Sequence, residues 1–250
     1  MLMNAFYFLP YSIRYNFSAY KIYSYMKIFP RALLLLFLGT IVMSMSKQKK
    51  TRIVFFGDSI TQAGVGANGY ITKMQKLLEE KGEASKYELI GAGIGGNKVY
   101  DLYLRMEEDV LAKEPDIVVI WVGVNDVWHK SSFGTGTDAD KFEKFYIAII
   151  KKLQSKNIRV LLCTPSTIGE KTDYSNQQDG DLNAYSNLIR KIGKANNCKI
   201  IDLRTDFHSY LLQNNPENKE AGILTVDRVH LNEKGNTFVA EKMMEGLQLP

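Results

Sequence analysis

The sequence predicts an α/β fold in which helices cover both faces of a parallel sheet, giving three α/β/α layers. Two observations support this prediction: five short, mostly apolar runs recur along the chain, and patterns of helical spacing separate them. Strands that are apolar throughout are typical of parallel sheets buried on both faces. Strands that alternate with helices of this length indicate right-handed βαβ units. The chain shows no internal repeat or interdomain linker, so we expect one domain over residues 50–250.

The predicted elements follow from local composition. Strands are expected where β-prone residues cluster, over 52–56, 87–91, 116–122, 159–164 and 199–202. Helices are expected where apolar residues recur every three or four positions, over 70–81, 99–111, 138–156, 182–196 and 233–247. Gly82 follows the first of these helices as a terminating residue should, and Pro115 separates the second from its strand.

The first 46 residues differ from the rest of the chain. An apolar run from Ala32 to Met43 follows Lys27 and Arg31 and precedes small residues and a basic stretch, which is the pattern of a signal peptide. The run is shorter than the roughly 20 residues of a spanning helix, although an uncleaved N-terminal anchor is the alternative. We therefore predict a non-structural extension over 1–25, with Met26 as the true start, a signal peptide or anchor over 26–46, and export to the periplasm or medium.

Charge and cysteine content exclude some classes of protein. Residues 1–46 hold four of the 32 basic residues and none of the 27 acidic ones, so the remainder is nearly neutral. A neutral body gives no support for a nucleic-acid partner, and membrane contact is expected only through an uncleaved N-terminal segment. Cys163 ends one predicted strand and Cys198 begins another, so the two thiols should lie at opposite ends of the sheet, unpaired.

Distinctive residues follow the strand ends. Ser59 comes after the first strand, a Gly-rich loop at 91–97 after the second, Gly-Val-Asn-Asp at 123–126 after the third, and Asp-Arg-Val-His at 227–230 after the fifth strand and a short helix. Because the carboxyl ends of parallel strands share one edge of the sheet, these loops should converge on one site. Taken singly, Asp58 or Ser59 reads as a helix cap and Asn125-Asp126 as a turn. The convergence of four such loops favours a catalytic role for these residues over helix capping or turn formation alone.

The residue types fit nucleophilic catalysis. A serine needs a base to remove its proton, and a histidine oriented by a carboxylate is the usual base. Of the three histidines, His230 has Asp227 three residues before it, His129 follows Trp128 in the loop after strand three, and His208 lies in an amphipathic stretch. Ester cleavage also needs hydrogen-bond donors for the oxyanion, and the Gly-rich loop and the Asn125 amide are candidates. Ser59, Gly93 and Asn125 are expected to share that oxygen.

Segments 57–61, the loop around Gly93, 123–126 and 227–230 resemble the four ordered blocks of the SGNH/GDSL hydrolases. The resemblance implies a flavodoxin-like fold with a five-stranded parallel sheet of order 2-1-3-4-5. It implies Ser59 as nucleophile, His230 as base and Asp227 as its orienter, with Gly93, Asn125 and the Ser59 amide as oxyanion donors. It also implies an esterase that removes short acyl groups, chiefly acetyl, from carbohydrates. We expect a small-molecule or glycan ester as substrate, with Asp58, Asp126, Trp128 and His129 as further candidates for binding it.

Three alternatives remain open. The same kind of site serves lysophospholipases and thioesterases that act on longer acyl chains. The second is a dinucleotide-dependent oxidoreductase, because Gly91, Gly93 and Gly96 match the spacing of a dinucleotide-binding loop. That fingerprint, however, belongs in the first βα turn, and its acidic partner is missing. A catalytically silent glycan-binding module is the third, although every catalytic residue type is retained. No metal-ligand motif is present, and the mechanism requires neither metal nor cofactor.

Overall fold

The computed structural model describes residues 49–250, so the predicted extension and signal segment lie outside the described residues. Five parallel strands form one sheet of order β2-β1-β3-β4-β5, as predicted. The strands are β1 Thr51–Gly57, β2 Tyr87–Gly93, β3 Ile117–Trp121, β4 Arg159–Cys163 and β5 Lys199–Ile201. Their predicted boundaries agree within two residues.

Within residues 49–250, eight α-helices connect and cover these strands. They are α1 Ser59–Gly64, α2 Tyr70–Glu80, α3 Val99–Asp109, α4 Val124–Phe133, α5 Ala139–Gln154, α6 Asp179–Ala195, α7 Leu203–Asn214 and α8 Glu233–Leu247, with short 3-10 turns at Ala84–Lys86 and Leu111–Lys113. Helix α2 packs against α8, whereas α3 packs against α5 and α5 against α6. The two groups of helices flank the sheet as the outer layers. Helices α1 and α4 were predicted as loops.

The core lies between the sheet and the two helix layers. The central strands β1 and β3 are almost entirely buried, as near-continuous apolar runs require. Helix α5 carries an aromatic stripe, with Phe142 and Tyr146 at helical spacing, and this stripe packs inward with its apolar neighbours as part of the core. Cys163 and Cys198 are both buried and unpaired, as predicted. Within residues 49–250 no helix is long and apolar enough to span a bilayer.

Candidate active site

Ser59 lies at a sharp junction where β1 ends at Gly57 and α1 begins. Asp58 is the N-cap of α1: its Oδ1 accepts a hydrogen bond of 3.0 Å from the Ile60 amide. The sequence left capping and catalysis as competing interpretations of this turn. In the structure Asp58 caps the helix, and the neighbouring Ser59 side chain faces another loop.

Ser59, His230 and Asp227 form a continuous hydrogen-bonded chain. Ser59 Oγ lies 2.9 Å from His230 Nε2, and His230 Nδ1 lies 2.7 Å from Asp227 Oδ2. With the proton of the neutral imidazole on Nδ1, where it can donate to Asp227, Nε2 is free to accept the Ser59 hydroxyl proton. The first of these distances joins residues 171 positions apart in the sequence. The arrangement can therefore activate a serine hydroxyl for attack on a carbonyl carbon.

A tight turn holds Asp227 in place beneath His230. Its Oδ1 accepts hydrogen bonds from the backbone amides of His230 at 2.8 Å and Val229 at 3.1 Å, leaving Oδ2 for the imidazole. Arg228, inside this turn, takes a left-handed φ of 84°. Partial burial alone would raise the pKa of Asp227, but the hydrogen bonds from the His230 side chain and from the two amides hold it below its usual value. Asp227 therefore stays ionised beside the imidazole.

Two of the predicted oxyanion donors lie at helix N-termini. Ser59 is the first residue of α1, so its amide precedes the intrahelical hydrogen bonds. Asn125 lies in the first turn of α4, where its Nδ2 donates to Asn97 O at 3.1 Å. That bond uses one of the two Nδ2 hydrogens and fixes the amide. The second hydrogen remains available for a substrate oxygen.

Gly93 has a packing reason to be glycine. It is the last residue of β2, and a Cβ there would overlap the backbone of α1 at Gln62. This close approach explains the residue without an oxyanion role, so Gly93 as a donor remains a prediction. A Cβ at Gly95, by contrast, would lie 3.9 Å from Ser59 Cβ. The glycine loop therefore comes close to Ser59 at Gly95, two residues after Gly93.

The adjacent Gly96 is a donor candidate that the sequence analysis missed. The Gly95 amide donates to Gln62 Oε1 at 2.8 Å, and the Asn97 amide donates to Ile94 O. Within residues 49–250 the Gly96 amide has no acceptor, and Gly96 takes a left-handed φ of 76°. The Gly-Gly pair was the only sequence signal for this turn.

Asp58 and Asp126 are not open to a substrate, which corrects their assignment as candidate binding residues. Both carboxyl groups are buried; Asp58 caps α1, and Asp126 accepts a hydrogen bond of 3.2 Å from the Val99 amide at the start of α3. Burial raises the pKa of Asp58 to about 7 and that of Asp126 to about 6, and the nearby Asp126 contributes to the rise at Asp58. Asp58 therefore stabilises the turn that carries Ser59, and Asp126 connects the start of α4 to the start of α3.

The buried Asp58 predicts a specific pH dependence of stability. Its pKa is higher in the folded protein than in the unfolded chain, so its contribution to the free energy of unfolding declines as pH rises from about 4 to about 7. Asparagine keeps the N-cap oxygen but carries no charge. We therefore expect Asp58→Asn to be more stable than the parent at pH 8 by at least about 1.4 kcal/mol, and not at pH 4. Urea unfolding at both pH values measures this; an equal difference at both would contradict it.

Trp128 and His129 border the site on α4. The half-buried Trp128 ring meets the His230 ring edge to face, with centroids 6.3 Å apart. The His129 ring packs edge to face on the exposed Phe133 ring at 4.9 Å, and a Cβ at Gly96 would lie 3.9 Å from His129 Cε1. His129 therefore lies between the glycine loop and an exposed aromatic ring. Sugar binding by Trp128 or His129 stays a prediction.

Arg105 on α3 is a supporting residue that the sequence did not reveal. Its guanidinium donates to Gly57 O at 2.7 Å, to Ala92 O at 3.0 Å and to Asn97 Oδ1 at 2.6 Å. It thereby links the ends of β1 and β2 to the glycine loop. In the sequence it is one of many charged positions on a helix. His208, the remaining histidine, lines a separate cavity of about 180 Å³ with Arg190 and Arg204.

Comparison with known proteins agrees with this geometry. Residues 55–238 match the GDSL-like lipase/acylhydrolase family. A crystal structure of an acetyl xylan esterase, AlAXEase, is 69% identical, with a TM-score of 0.78 over 78% of this chain and 99% of that one. An acetylxylan esterase of Geobacillus stearothermophilus is 28% identical over 211 residues, which are 77% of this chain and 92% of that protein. An uncharacterised lipoprotein, YqeF, of Bacillus subtilis strain 168 is 24% identical over 78% of this chain and 88% of its own.

The family match spans most of the chain, and it includes the segments around Ser59, Asn125, Asp227 and His230. The relatives are covered almost from end to end, so the similarity concerns whole proteins rather than one shared motif. The predicted relationship to the SGNH/GDSL hydrolases is confirmed. This chain belongs to the GDSL-like lipase/acylhydrolase family and is a carboxylic ester hydrolase.

Proposed function

We propose that the protein is a serine esterase that removes acetyl groups from acetylated xylan or its oligosaccharides. The observation that carries the catalytic part is the hydrogen-bonded chain from Ser59 through His230 to Asp227, at 2.9 and 2.7 Å. The substrate class rests on the 69% identity to a protein described as an acetyl xylan esterase. Identity at that level over most of the chain favours a shared substrate class over a shared fold alone.

In the acylation step Ser59 Oγ attacks the acetyl carbonyl carbon while His230 Nε2 takes its proton. Asp227 stabilises the resulting imidazolium without taking the proton itself. The negative charge moves to the carbonyl oxygen, where the Ser59 amide, the Asn125 Nδ2 hydrogen and the Gly96 amide donate hydrogen bonds. Collapse of this intermediate breaks the bond to the sugar oxygen, which leaves with the proton from His230.

Deacylation repeats the steps of acylation with water as the nucleophile. His230 Nε2 removes a proton from water as the oxygen attacks the acetyl-Ser59 carbonyl, and the same donors hold the second oxyanion. Breakdown returns the proton to Ser59 Oγ and releases acetic acid, which ionises to acetate in solution. No other reactant is needed, and the residues end in their starting protonation states.

We also propose that aromatic side chains of α4 meet the sugar. Phe133 is 67% exposed and packs on His129, which in turn lies beside the glycine loop near Ser59. An exposed aromatic face beside a reactive centre is suited to stack on a sugar ring. The half-buried Trp128 contacts the His230 ring and is better placed to form a wall of the acyl site.

The acyl preference gives a direct test of the proposed function. We expect kcat/KM to be highest for p-nitrophenyl acetate and to fall steadily through butanoate to octanoate, and we expect acetate release from acetylated xylo-oligosaccharides. Phe133→Ala should raise KM for the oligosaccharide and leave p-nitrophenyl acetate hydrolysis unchanged. Rates that peak at eight carbons or more would favour a lysophospholipase or thioesterase instead. A folded sample that cleaves none of these esters would refute the proposal.

We propose that the protein is exported, with residues 26–46 as its signal segment or membrane anchor. The support is the basic, apolar and small-residue pattern of that segment. Expression of the full chain, fractionation and intact-mass measurement test it. A shortened protein outside the cytoplasm supports cleavage, an unshortened protein in the membrane fraction supports anchoring, and full-length protein confined to the cytoplasm refutes export.

A further inference from the structure

The segment that carries Asp227 and His230 has little regular structure of its own. Between the end of α7 at Asn214 and the start of α8 at Glu233, its only regular pairing is an isolated bridge of Thr225 with Leu231. A segment without a helix or strand needs other contacts to hold two side chains at hydrogen-bond distance from Ser59. Those contacts come from the loop that follows β4.

Glu170, in that loop, is fully buried and directs its carboxylate at the segment. Its Oε1 accepts hydrogen bonds from the amides of Leu224 and Thr225, each at 2.7 Å, and from Thr225 Oγ1 at 2.9 Å. Its Oε2 accepts from the Ile223 amide at 2.8 Å. Three consecutive backbone amides therefore converge on one carboxylate, just before Asp227.

Backbone contacts bind the same two stretches on either side of the carboxylate. The Gly169 amide donates to Arg228 O at 2.9 Å, and the Glu170 amide donates to Glu220 O at 2.9 Å. Asn215 Nδ2 donates to Glu170 O at 2.8 Å. Hydrogen bonds therefore connect the loop to the segment near its start, at its centre and inside the Asp227–His230 turn.

The carboxylate of Glu170 makes this contact dependent on the position of the segment. A buried carboxylate is costly unless several donors satisfy it, and hydrogen bonds to a charged acceptor are stronger than neutral ones. No lysine or arginine of residues 49–250 forms an ion pair with Glu170, so the donors of the segment alone satisfy it. Displacing the segment would therefore leave the carboxylate unsatisfied.

We propose that Glu170 is a positioning residue of the ester-hydrolysing site, holding the segment so that His230 meets Ser59. The inference rests on the proposed catalytic roles of Ser59, His230 and Asp227. The link from Glu170 to the imidazole is short: Thr225 pairs with Leu231, and the Val226 amide donates to His230 O at 2.8 Å. A shift of Thr225 is transmitted to His230 across this turn.

Glu170→Gln tests the role with nearly unchanged shape. The amide offers one acceptor oxygen, and its NH₂ group faces amides that also donate. We expect kcat for p-nitrophenyl acetate to fall about 10²-fold, the cost of a small misplacement of a catalytic group, with KM within about twofold of the parent. The low-field proton NMR signal of the His230 Nδ1 hydrogen should shift or disappear, since it reports the bond to Asp227.

Glu217→Gln is the matched control. It makes the same substitution in the same segment at an exposed residue, where it removes the ion pair with Lys219 and touches neither Glu170 nor the Asp227–His230 turn. Its kcat and its low-field signal should match the parent. In a His230→Ala background, Glu170→Gln should cause no further loss of kcat, whereas general destabilisation would lower kcat in both backgrounds.

The outcomes separate the two proposals. If the parent and Ser59→Ala are equally inactive on esters, the proposed function fails, while the NMR signal still tests Glu170. If Glu170→Gln keeps both kcat and the signal, the positioning role is overturned. If Glu170→Gln does not fold, Thr225→Val decides: it removes one hydrogen bond to the carboxylate, and an unchanged signal and kcat would overturn the inference.

Discussion

Ser59→Ala should lower kcat for acetyl esters by about 10⁴- to 10⁶-fold while KM and the folded structure change little. The hydroxyl is the atom that would form the acyl-enzyme, and alanine leaves His230 with no proton to abstract from a side chain. Its removal costs little packing because Ser59 lies at the surface end of α1 and is partly exposed. Steady-state rates with p-nitrophenyl acetate and thermal unfolding of both proteins measure the effect.

The control for this substitution is Ser155→Ala. Ser155 follows α5, and its exposed hydroxyl donates only to Lys152 O, so its rate should equal that of the parent. A serine-reactive phosphonate should add its mass to the Ser59 peptide in the parent and in Ser155→Ala, but not in Ser59→Ala. Activity of Ser59→Ala within tenfold of the parent, or labelling at another serine, would assign the nucleophile elsewhere.

Asp227→Asn should lower kcat by about 10⁴-fold, the size of the loss that the same change causes in a serine protease triad. The Asn oxygen can still accept from the amides of Val229 and His230, so the turn should keep its shape. The Asn NH₂ group, however, donates toward Nδ1 and drives the imidazole proton to Nε2. His230 then presents a proton to Ser59 Oγ and cannot act as its base.

Asp140→Asn is the control for this second substitution, because it neutralises an exposed carboxylate in the first turn of α5. It should leave kcat unchanged. Thermal unfolding should show both variants folded at the assay temperature, which separates a lost base from a lost structure. A loss of less than tenfold in Asp227→Asn would mean that Asp227 does not set the tautomer of His230.

Strands and long helices were predictable because each is encoded locally. Strand β3, Ile-Val-Val-Ile-Trp, is apolar on both faces, and the aromatic stripe of α5 repeats at helical spacing. The short helices α1 and α4 were predicted as loops because a turn-forming residue precedes each of them, Asp58 before Ser59 and Gly123 before Val124. Six residues also give too little of a helical repeat to recognise α1.

The sequence by itself determined the parallel sheet, its shared carboxyl edge and the residue types that meet there, since these follow from local patterns and from block order. Tertiary structure decided which groups are open and which are buried. It made Asp58 and Asp126 internal anchors, placed Gly96 beyond the packed Gly93, and brought Arg105 and Glu170 into hydrogen bonds with the segments around the site. The physical reason is that burial and backbone hydrogen bonding join residues such as Asp126 and Val99, 27 positions apart, or Glu170 and Leu224, 54 positions apart, which no local pattern encodes.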